Sequence, residues 1–336
     1  MLMRSSALSS EEVTEELGAS TVDLNLPLLE TDVFRGYLAE DVARIRTIAP
    51  ADVVADPAFF TDAMGVKVSL DYCPWVWDRT GYVERRLPIP TDTYLGEAIE
   101  YAGFAMAVER AAGQDQLSVV ELGAGWGPWV SLGAVTAARL GFAKASIVAF
   151  EADATRFAAM RRHLTINGVI EADAPDFGRQ GRFEWRLHHA AAHSENGALY
   201  WPANSNVHDA GMAAIHEAGA VQDYRGQTID TIEVKAVSVT EAIDHLPVVD
   251  FMHIDIQGGE ADLIPCLLDV LQQKVRVLFI GTHSRKIEGD FIDLLSSRGW
   301  GLHRERPCQF YPLSDAPTLI GRTYVDGAQL WINSRL

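Results

Sequence analysis

The chain has 336 residues, 48% of them hydrophobic and 22% charged, with a formal net charge of −18. That length and apolar content suffice for one large α/β domain with extensions, or for two domains, and exclude a disordered tail. The acidic balance argues against non-specific nucleic-acid binding and against an anionic membrane surface, both of which call for clustered Lys and Arg.

Residues 1–90 read differently from the rest, as an α+β extension that serves as a substrate lid or an oligomer contact. Glu11-Glu12-Val13-Thr14-Glu15-Glu16 is an acidic surface segment. Phe34 to Ile48 is expected to be helical, with Phe34, Leu38, Val42 and Ile45 on one face, and Val66 to Leu70 alternates like a half-buried strand. Cys73-Pro74-Trp75-Val76-Trp77 and Tyr82 form an aromatic cluster, either a satellite core or a wall of a substrate pocket. Leu87-Pro88-Ile89-Pro90 is an extended linker.

From residue 91 to 336 the pattern becomes an alternation of strands and helices. Asp92 or Thr93 caps a helix with Leu95, Ile99, Ala102 and Met106 on one face. Strands follow at Ser118–Leu122, Ser146–Phe150, Phe183–His189, Val248–Ile254 and Val275–Ile280. Helices between them start near Pro128, carry Phe157, Met160 and Leu164 up to an Asn167-Gly168 cap, and then carry Leu263, Leu267 and Leu271. A further helix with Phe291, Leu294 and Leu295 ends at Gly299, and a hairpin of Trp300–Arg304 with Gln329–Ile332 closes the sheet. The long stretch from Ser194 to Pro247 includes Asn204-Ser205-Asn206, a strand Thr231–Val237 and a Ser238-x-x-Glu241 capping pattern. It is either a cover over a site or a surface decoration. Alternating units of this length imply a doubly wound, Rossmann-like, mostly parallel sheet.

The first strand runs Val119-Val120-Glu121-Leu122 into Gly123-Ala124-Gly125-Trp126-Gly127. Glycines at 123, 125 and 127 let backbone approach a ligand where a Cβ would clash. The third small residue of a dinucleotide fingerprint is replaced by Pro128, which suits the first position of a helix. No Gly-Lys-Ser/Thr follows, which excludes a P-loop. The helix amino end favours an anion such as the methionine carboxylate of S-adenosylmethionine. Glu151, closing the second strand, is placed to accept hydrogen bonds from both ribose hydroxyls.

Ligands in such sheets bind outside the carboxyl ends of the strands. Those ends offer Glu121 and the glycines, then Glu151, Ala152 and Asp153, then His188, His189 and Ala190. Further ends offer His253, Asp255, Gln257 and Glu260, and finally the run Gly281-Thr282-His283-Ser284-Arg285. A hydroxyl nucleophile attacking an activated methyl group needs alignment and a proton acceptor. His283 and Asp255 are the catalytic candidates, with His283 as base and Asp255 orienting it. In a second scheme Asp255, His283 and Glu260 hold a divalent cation that acidifies a substrate diol; the metal-free scheme is preferred. His253, inside a strand, reads as structural.

On these residues the chain resembles the FkbM family of S-adenosylmethionine-dependent methyltransferases. The resemblance rests on Glu121 to Gly127, on Ala149-Phe150-Glu151-Ala152-Asp153, on Leu164-x-x-Asn167 and on Ile254-Asp255-Ile256-Gln257-Gly258-Gly259-Glu260. Gly281 to Arg285 followed by Ile287-Glu288 extends it, so that it covers about Thr91 to Arg306. It implies a class I methyltransferase fold and O-methylation of a sugar or natural-product hydroxyl. It also implies cofactor roles for Glu121, Gly123, Gly125, Glu151 and Asp153. Ala124, Trp126, Ala152, His189 and Ala190 stand beside them as further cofactor candidates. Gln257 departs from the glutamate the family often has there.

Two other functions remain compatible with the sequence: a methyltransferase-like module that binds without catalysis, and a nicotinamide-dependent oxidoreductase, disfavoured by Pro128. The expected partner is a small-molecule or glycan acceptor, with no nucleic acid and no membrane, and a homo-oligomer is possible. Cys73, Cys266 and Cys308 are far apart, and no Cys-x-x-Cys occurs, so a reducing cytoplasmic setting fits. Met1-Leu2-Met3-Arg4-Ser5-Ser6 lacks the apolar core of a signal peptide, and no apolar run approaches a membrane span.

Overall fold

In a computed structural model the chain is described at residues 36–69, 79–85, 96–203, 213–216, 219, 221–222, 228–312, 315–316, 318 and 320–336. The segments expected at Glu11–Glu16, Phe34, the Cys73–Trp77 cluster, the Leu87–Pro90 linker, the Asp92 or Thr93 cap and Asn204–Asn206 lie outside these residues.

Helix α1 (Ala39–Ile48) opens the described chain. A short hairpin, β1 (Phe60–Thr61) with β2 (Lys67–Val68), follows it. Helix α1 begins later than its apolar spacing suggests. Asp41 turns back to accept from the Leu38 backbone N–H at 2.8 Å, leaving Leu38 as an exposed cap and Val42, Ile45 and Ile48 as the buried face. Ile45, Ile48, Met64 and Val66 join the same apolar cluster as the main domain's helices.

The main sheet and its helices follow in chain order. They begin with α2 (Ala98–Arg110), β3 (Gln116–Leu122), α3 (Pro128–Leu140), β4 (Lys144–Glu151) and α4 (Ala154–Ile166). Next come β5 (Phe177–Gln180), β6 (Phe183–His189), β7 (Ala191–His193), β8 (Gly197–Pro202), β9 (Thr231–Ser238) and α5 (Val239–Ala242). The chain closes with β10 (Val249–Ile254), α6 (Glu260–Lys274), β11 (Val275–Thr282), α7 (Arg285–Ser297), β12 (Trp300–Arg306) and β13 (Gly327–Asn333).

The eight-stranded sheet has the order β12-β13-β11-β10-β3-β4-β6-β5. Its five inner strands β11, β10, β3, β4 and β6 are parallel; β13 and β5 run antiparallel to them, and the edge strand β12 pairs antiparallel with β13. Both faces are covered, so β3, β4, β10 and β11 are buried almost throughout, with period-two residues feeding opposite cores. Val119, Ile147, Phe251 and Val277 pack with α2, α3 and α4. Val120, Val148, Met252 and Leu278 pack with α5, α6 and α7. The chain moves outward through β3, β4 and β6 and then returns to the other side of β3 with β10 and β11. The strand order therefore reverses between β3 and β10, which opens a crevice there.

Helix α2 differs from its expected one-sided pattern. Ala98, Ile99 and Tyr101 through Val108 are all buried, because the helix lies between the sheet and α1. Its amino end is closed by Glu100, which accepts from the Glu97 backbone N–H at 2.5 Å. The excursion after β6 builds a second small sheet, β7-β9-β8. Strand β8, with Leu199 and Trp201 buried, has no counterpart in the sequence expectations. Ser238 caps α5 by accepting from Glu241 N–H at 3.4 Å. The Glu241 side chain is engaged with Asn196, so only half of the reciprocal cap forms. No helix among the described residues is long and apolar enough to cross a membrane.

Candidate active site

The crevice between β3 and β10 is drawn tight by one glycine. Gly123 has φ +78°, and a Cβ there would stand 1.9 Å from the Asp255 carbonyl oxygen. Asp255 N–H in turn donates to the Leu122 carbonyl at 3.0 Å. Thus the turn after β3 and the turn after β10 share one backbone seam. At Gly125 (φ +57°) an added Cβ would meet nothing within 4 Å, so the space beside it is open to a ligand. Gly127, at φ +73°, ends the turn as the cap of α3, with Pro128 at the first helical position.

Glu151 ties the turn to the next strand. Its two carboxyl oxygens accept from Gly125 N–H at 2.7 Å and from Asp153 N–H at 2.7 Å. Burial raises its pKa to about 7. Each oxygen keeps a second lone pair for a ligand hydroxyl. Glu121 is buried, and one of its oxygens accepts from Val130 N–H at 2.9 Å, within the amino end of α3. Burial raises its pKa well above the carboxylate range. Asp153 caps α4, accepting from Thr155 N–H at 2.8 Å and Arg156 N–H at 2.9 Å. Ala152 and Ala190 are buried beside them, and Ala190 N–H donates to the Glu151 carbonyl at 2.9 Å. His189 stacks on Phe157 at 4.9 Å, and Trp126 stands edge-on to His163 at 4.7 Å. Ala124 is buried, its N–H donating to the Phe150 carbonyl at 2.8 Å.

Across the seam, His283 lies between two carboxylates. Its Nε2 is 3.4 Å from Asp255 Oδ1, and its Nδ1 is 3.5 Å from Glu260 Oε2. Burial alone would lower the imidazole pKa, but the charges of Glu260 and Asp255 outweigh it and hold the group well above its usual value. Asp255 is pulled the other way: burial would raise it, yet the hydrogen bond and charge of His283 keep it below the usual carboxylate value. The resting pair is therefore an imidazolium and a carboxylate. The Asp255 side chain is 37% exposed and that of His283 only 2%. Of the two, Asp255 is the group an incoming molecule can reach.

Residue Gln257 supports this arrangement. It is the one non-glycine among the described residues with positive φ, at +57°, a conformation that costs free energy and clusters at functional sites. From it, Nε2 donates to Asp255 Oδ1 at 2.8 Å. Glu260 closes the same turn, accepting from Ile256 N–H at 2.6 Å and Gly258 N–H at 2.7 Å.

Asp255, Glu260 and His283 offer donor atoms that lie within 4.8 Å of one another. Distance alone would admit a cation. Those donors are already partly engaged: each Glu260 oxygen accepts one backbone N–H group, and His283 stands between two carboxylates, so a cation would have to displace the imidazole proton. A metal ligand histidine must be neutral.

Two participants have no counterpart in the sequence expectations. Glu100 on α2 accepts from or donates to His253 Nε2 at 2.8 Å, with its pKa raised by burial. His253 is stacked between Trp129 and Phe279, a structural position, as its place within a strand suggests. His163 bonds Ser131 Oγ at 2.9 Å beneath Trp126, and burial lowers its pKa to about 4. A signal for Glu100 exists only in its helix-start position, which also explains it as a cap.

Comparison with known proteins places the chain. A candidate methyltransferase of Jannaschia sp. (strain CCS1) is 28% identical over 280 residues, spanning 82% of this chain and 93% of that protein. Among solved structures, the N-terminal domain of human METTL16 in complex with SAH is 13% identical with a TM-score of 0.37, covering 73% of this chain and 72% of its own. Precorrin-6y C5,15-methyltransferase from Geobacter metallireducens GS-15 is 12% identical with a TM-score of 0.34, covering 72% and 92%. Residues 131–300, from within α3 to the first residue of β12 and including Asp255, Glu260 and His283, match the methyltransferase FkbM domain, and the chain belongs to that family.

Proposed function

We propose that this protein is an S-adenosylmethionine-dependent O-methyltransferase acting on a hydroxyl of a saccharide or natural product in the cytoplasm. The observation that carries this reading is the seam between Gly123 and Asp255, which sets a nucleotide-type pocket beside a reachable, ionised carboxylate. When bound, S-adenosylmethionine supplies an activated methyl group on a sulfonium. Glu151 would hold its ribose, and the open space at Gly125 and the amino end of α3 would receive the methionine carboxylate.

The protein's own task is then alignment and removal of one proton. Asp255 accepts a hydrogen bond from the acceptor hydroxyl. That proton becomes strongly acidic as the oxygen gains the methyl carbon, so a weak base suffices to take it. His283 keeps Asp255 ionised and oriented, and Gln257 donates to the same carboxylate oxygen, Oδ1. This exchanges the roles expected from sequence, where His283 is the base and Asp255 the orienting group. The exposures of the two side chains favour the exchange.

The test is calorimetry with S-adenosylmethionine together with methyl transfer from it to a panel of polyols, phenols and glycosides, followed by mass spectrometry. Asp255→Asn is expected to bind the donor with affinity within about threefold of the wild type and to lose roughly 10²-fold or more in turnover. Absence of donor binding, or unchanged turnover in Asp255→Asn, would sink the reading.

A further inference from the structure

Strands β12 and β13 end together at the carboxyl edge of the sheet, where Thr282 pairs with Gly327. The segment joining them therefore leaves and rejoins the sheet at Thr282, the residue before His283. Within it Gln309–Phe310 and Thr323–Val325 form a second, smaller hairpin, closed by Tyr311 N–H donating to the Arg322 carbonyl at 2.9 Å. Its base is fastened to the end of β11. Buried Glu288 accepts from Cys308 N–H at 2.6 Å and from Thr282 Oγ1 at 3.1 Å, and Cys308 Sγ donates to the Thr282 carbonyl at 3.3 Å. At its other foot, Asp326 is close enough to feel the charges of His283, Asp255 and Glu260.

This anchored hairpin carries aromatic surface into water. Phe310 is 41% exposed, Tyr311 53% and Tyr324 78%. Tyr311 and Tyr324 stand 6.3 Å apart with their planes inclined at 50°, a shallow cup rather than a packed pair. A cluster of exposed aromatics on a fixed scaffold marks a binding surface. Tyr324 is two residues from Asp326, a reach of roughly 7 Å along the chain. An aromatic cup on a hairpin whose foot pairs with the strand end that carries His283 fits a ligand with one flat apolar face and a rim of hydroxyls. The acidity of the site and of the whole chain disfavours an anionic one.

We propose that this hairpin is the acceptor platform, with Tyr311 and Tyr324 stacking on the C–H face of a neutral pyranose ring whose rim hydroxyl meets Asp255. This rests on the methyl-transfer reading and names its acceptor class. The experiment uses the full chain, with methyl α-glucopyranoside and methyl α-rhamnopyranoside as probes. Saturation-transfer NMR in the presence of S-adenosylhomocysteine reads acceptor binding, and steady-state methylation reads KM and kcat separately. Tyr311→Ala/Tyr324→Ala is expected to raise the KM or Kd for a pyranoside by tenfold or more, with S-adenosylhomocysteine affinity unchanged. Tyr311→Phe/Tyr324→Phe is expected to retain most of the binding, since the ring face is kept. Wild-type KM in the alanine double variant would overturn the platform while leaving methyl transfer intact. So would a change in oligomeric state in that variant with KM unaltered, since a second copy would then be the occupant. No saturation transfer from the wild type to either probe at millimolar concentration, or methylation of phenols alone, would overturn the saccharide occupant.

Discussion

His283 Nε2 lies 3.4 Å from Asp255 Oδ1, and the rest of the imidazole is enclosed so that its other nitrogen faces Glu260. One cation thus serves two carboxylates of which only Asp255 is reachable. Removing the cation leaves Glu260 buried without its counter-charge and lets the Asp255 pKa rise. In His283→Gln, kcat is expected to fall by roughly 10²-fold and the acid limb of its pH profile to move upward. Donor affinity should stay within about threefold. The stability difference has a definite sign. A histidine whose folded pKa is raised contributes fully below its unfolded value of about 6.5 and loses that contribution as pH rises through the folded value. Urea unfolding should therefore separate wild type from His283→Gln more at pH 6 than at pH 10. An equal gap at both would contradict a charged His283.

Glu151 joins Gly125 to Asp153 while carrying a pKa of about 7. As a carboxylate it can accept from two ribose hydroxyls; protonated, it gives up one of those acceptor sites. Donor binding should therefore select the ionised form and drive out a proton. At pH 7 about half a proton should leave per site, falling toward zero above pH 8.5. Titration calorimetry in buffers of different ionisation enthalpy reads this number directly, and Glu151→Ala should abolish it and weaken binding by tenfold or more. A proton count of zero at pH 7, together with unchanged donor affinity in Glu151→Ala, would remove Glu151 from the ribose contact.

Asp255, Glu260 and His283 have the composition of a metal site, and a divalent ion would compete with the imidazolium for the same oxygens. Because Glu260 already holds Ile256 and Gly258 N–H groups, the imidazolium is expected to prevail. Turnover after treatment with EDTA should stay within about twofold of that with added magnesium or manganese. A tenfold or greater loss on chelation, restored by one ion, would favour the metal-assisted scheme.

The same residues mark what the sequence makes legible. Val119 with Val120, and Ile147 with Val148, feed opposite cores, so their apolar runs fix inner strands, and alternation with helices fixes a doubly wound sheet. Asp255, Glu260 and His283 are visible as polar groups where buried strands stop. Spacing does not say which way a carboxylate points: Glu121 and Asp153, read as ligand contacts, each also spend one oxygen on a helix amino end. Glu100 lies 153 residues from His253 and meets it only through the fold. The strand Gly197–Pro202 and the tyrosine hairpin escape notice because a short segment with scattered aromatics has no period to read.

Gly123 and Gly125 sit two residues apart in one turn, and their roles should separate cleanly. Both have positive φ, so alanine at either costs about 1 kcal/mol or somewhat more in backbone strain. At Gly125 the new Cβ meets nothing within 4 Å. Gly125→Ala should therefore fold with only that loss, while its methyl group occupies the space a ligand needs, and donor affinity should fall by tenfold or more. At Gly123 the Cβ would press into the Asp255 carbonyl at 1.9 Å. Backbone cannot rotate away as a side-chain tip can, so β3 and β10 must part. Gly123→Ala should lose a further 1–3 kcal/mol or more of stability from this overlap, seen as a lower denaturation midpoint. The seam would open, and Asp255 would shift away from the pocket. Equal midpoints for the two variants would mean that the contact between the turns is looser than this geometry requires.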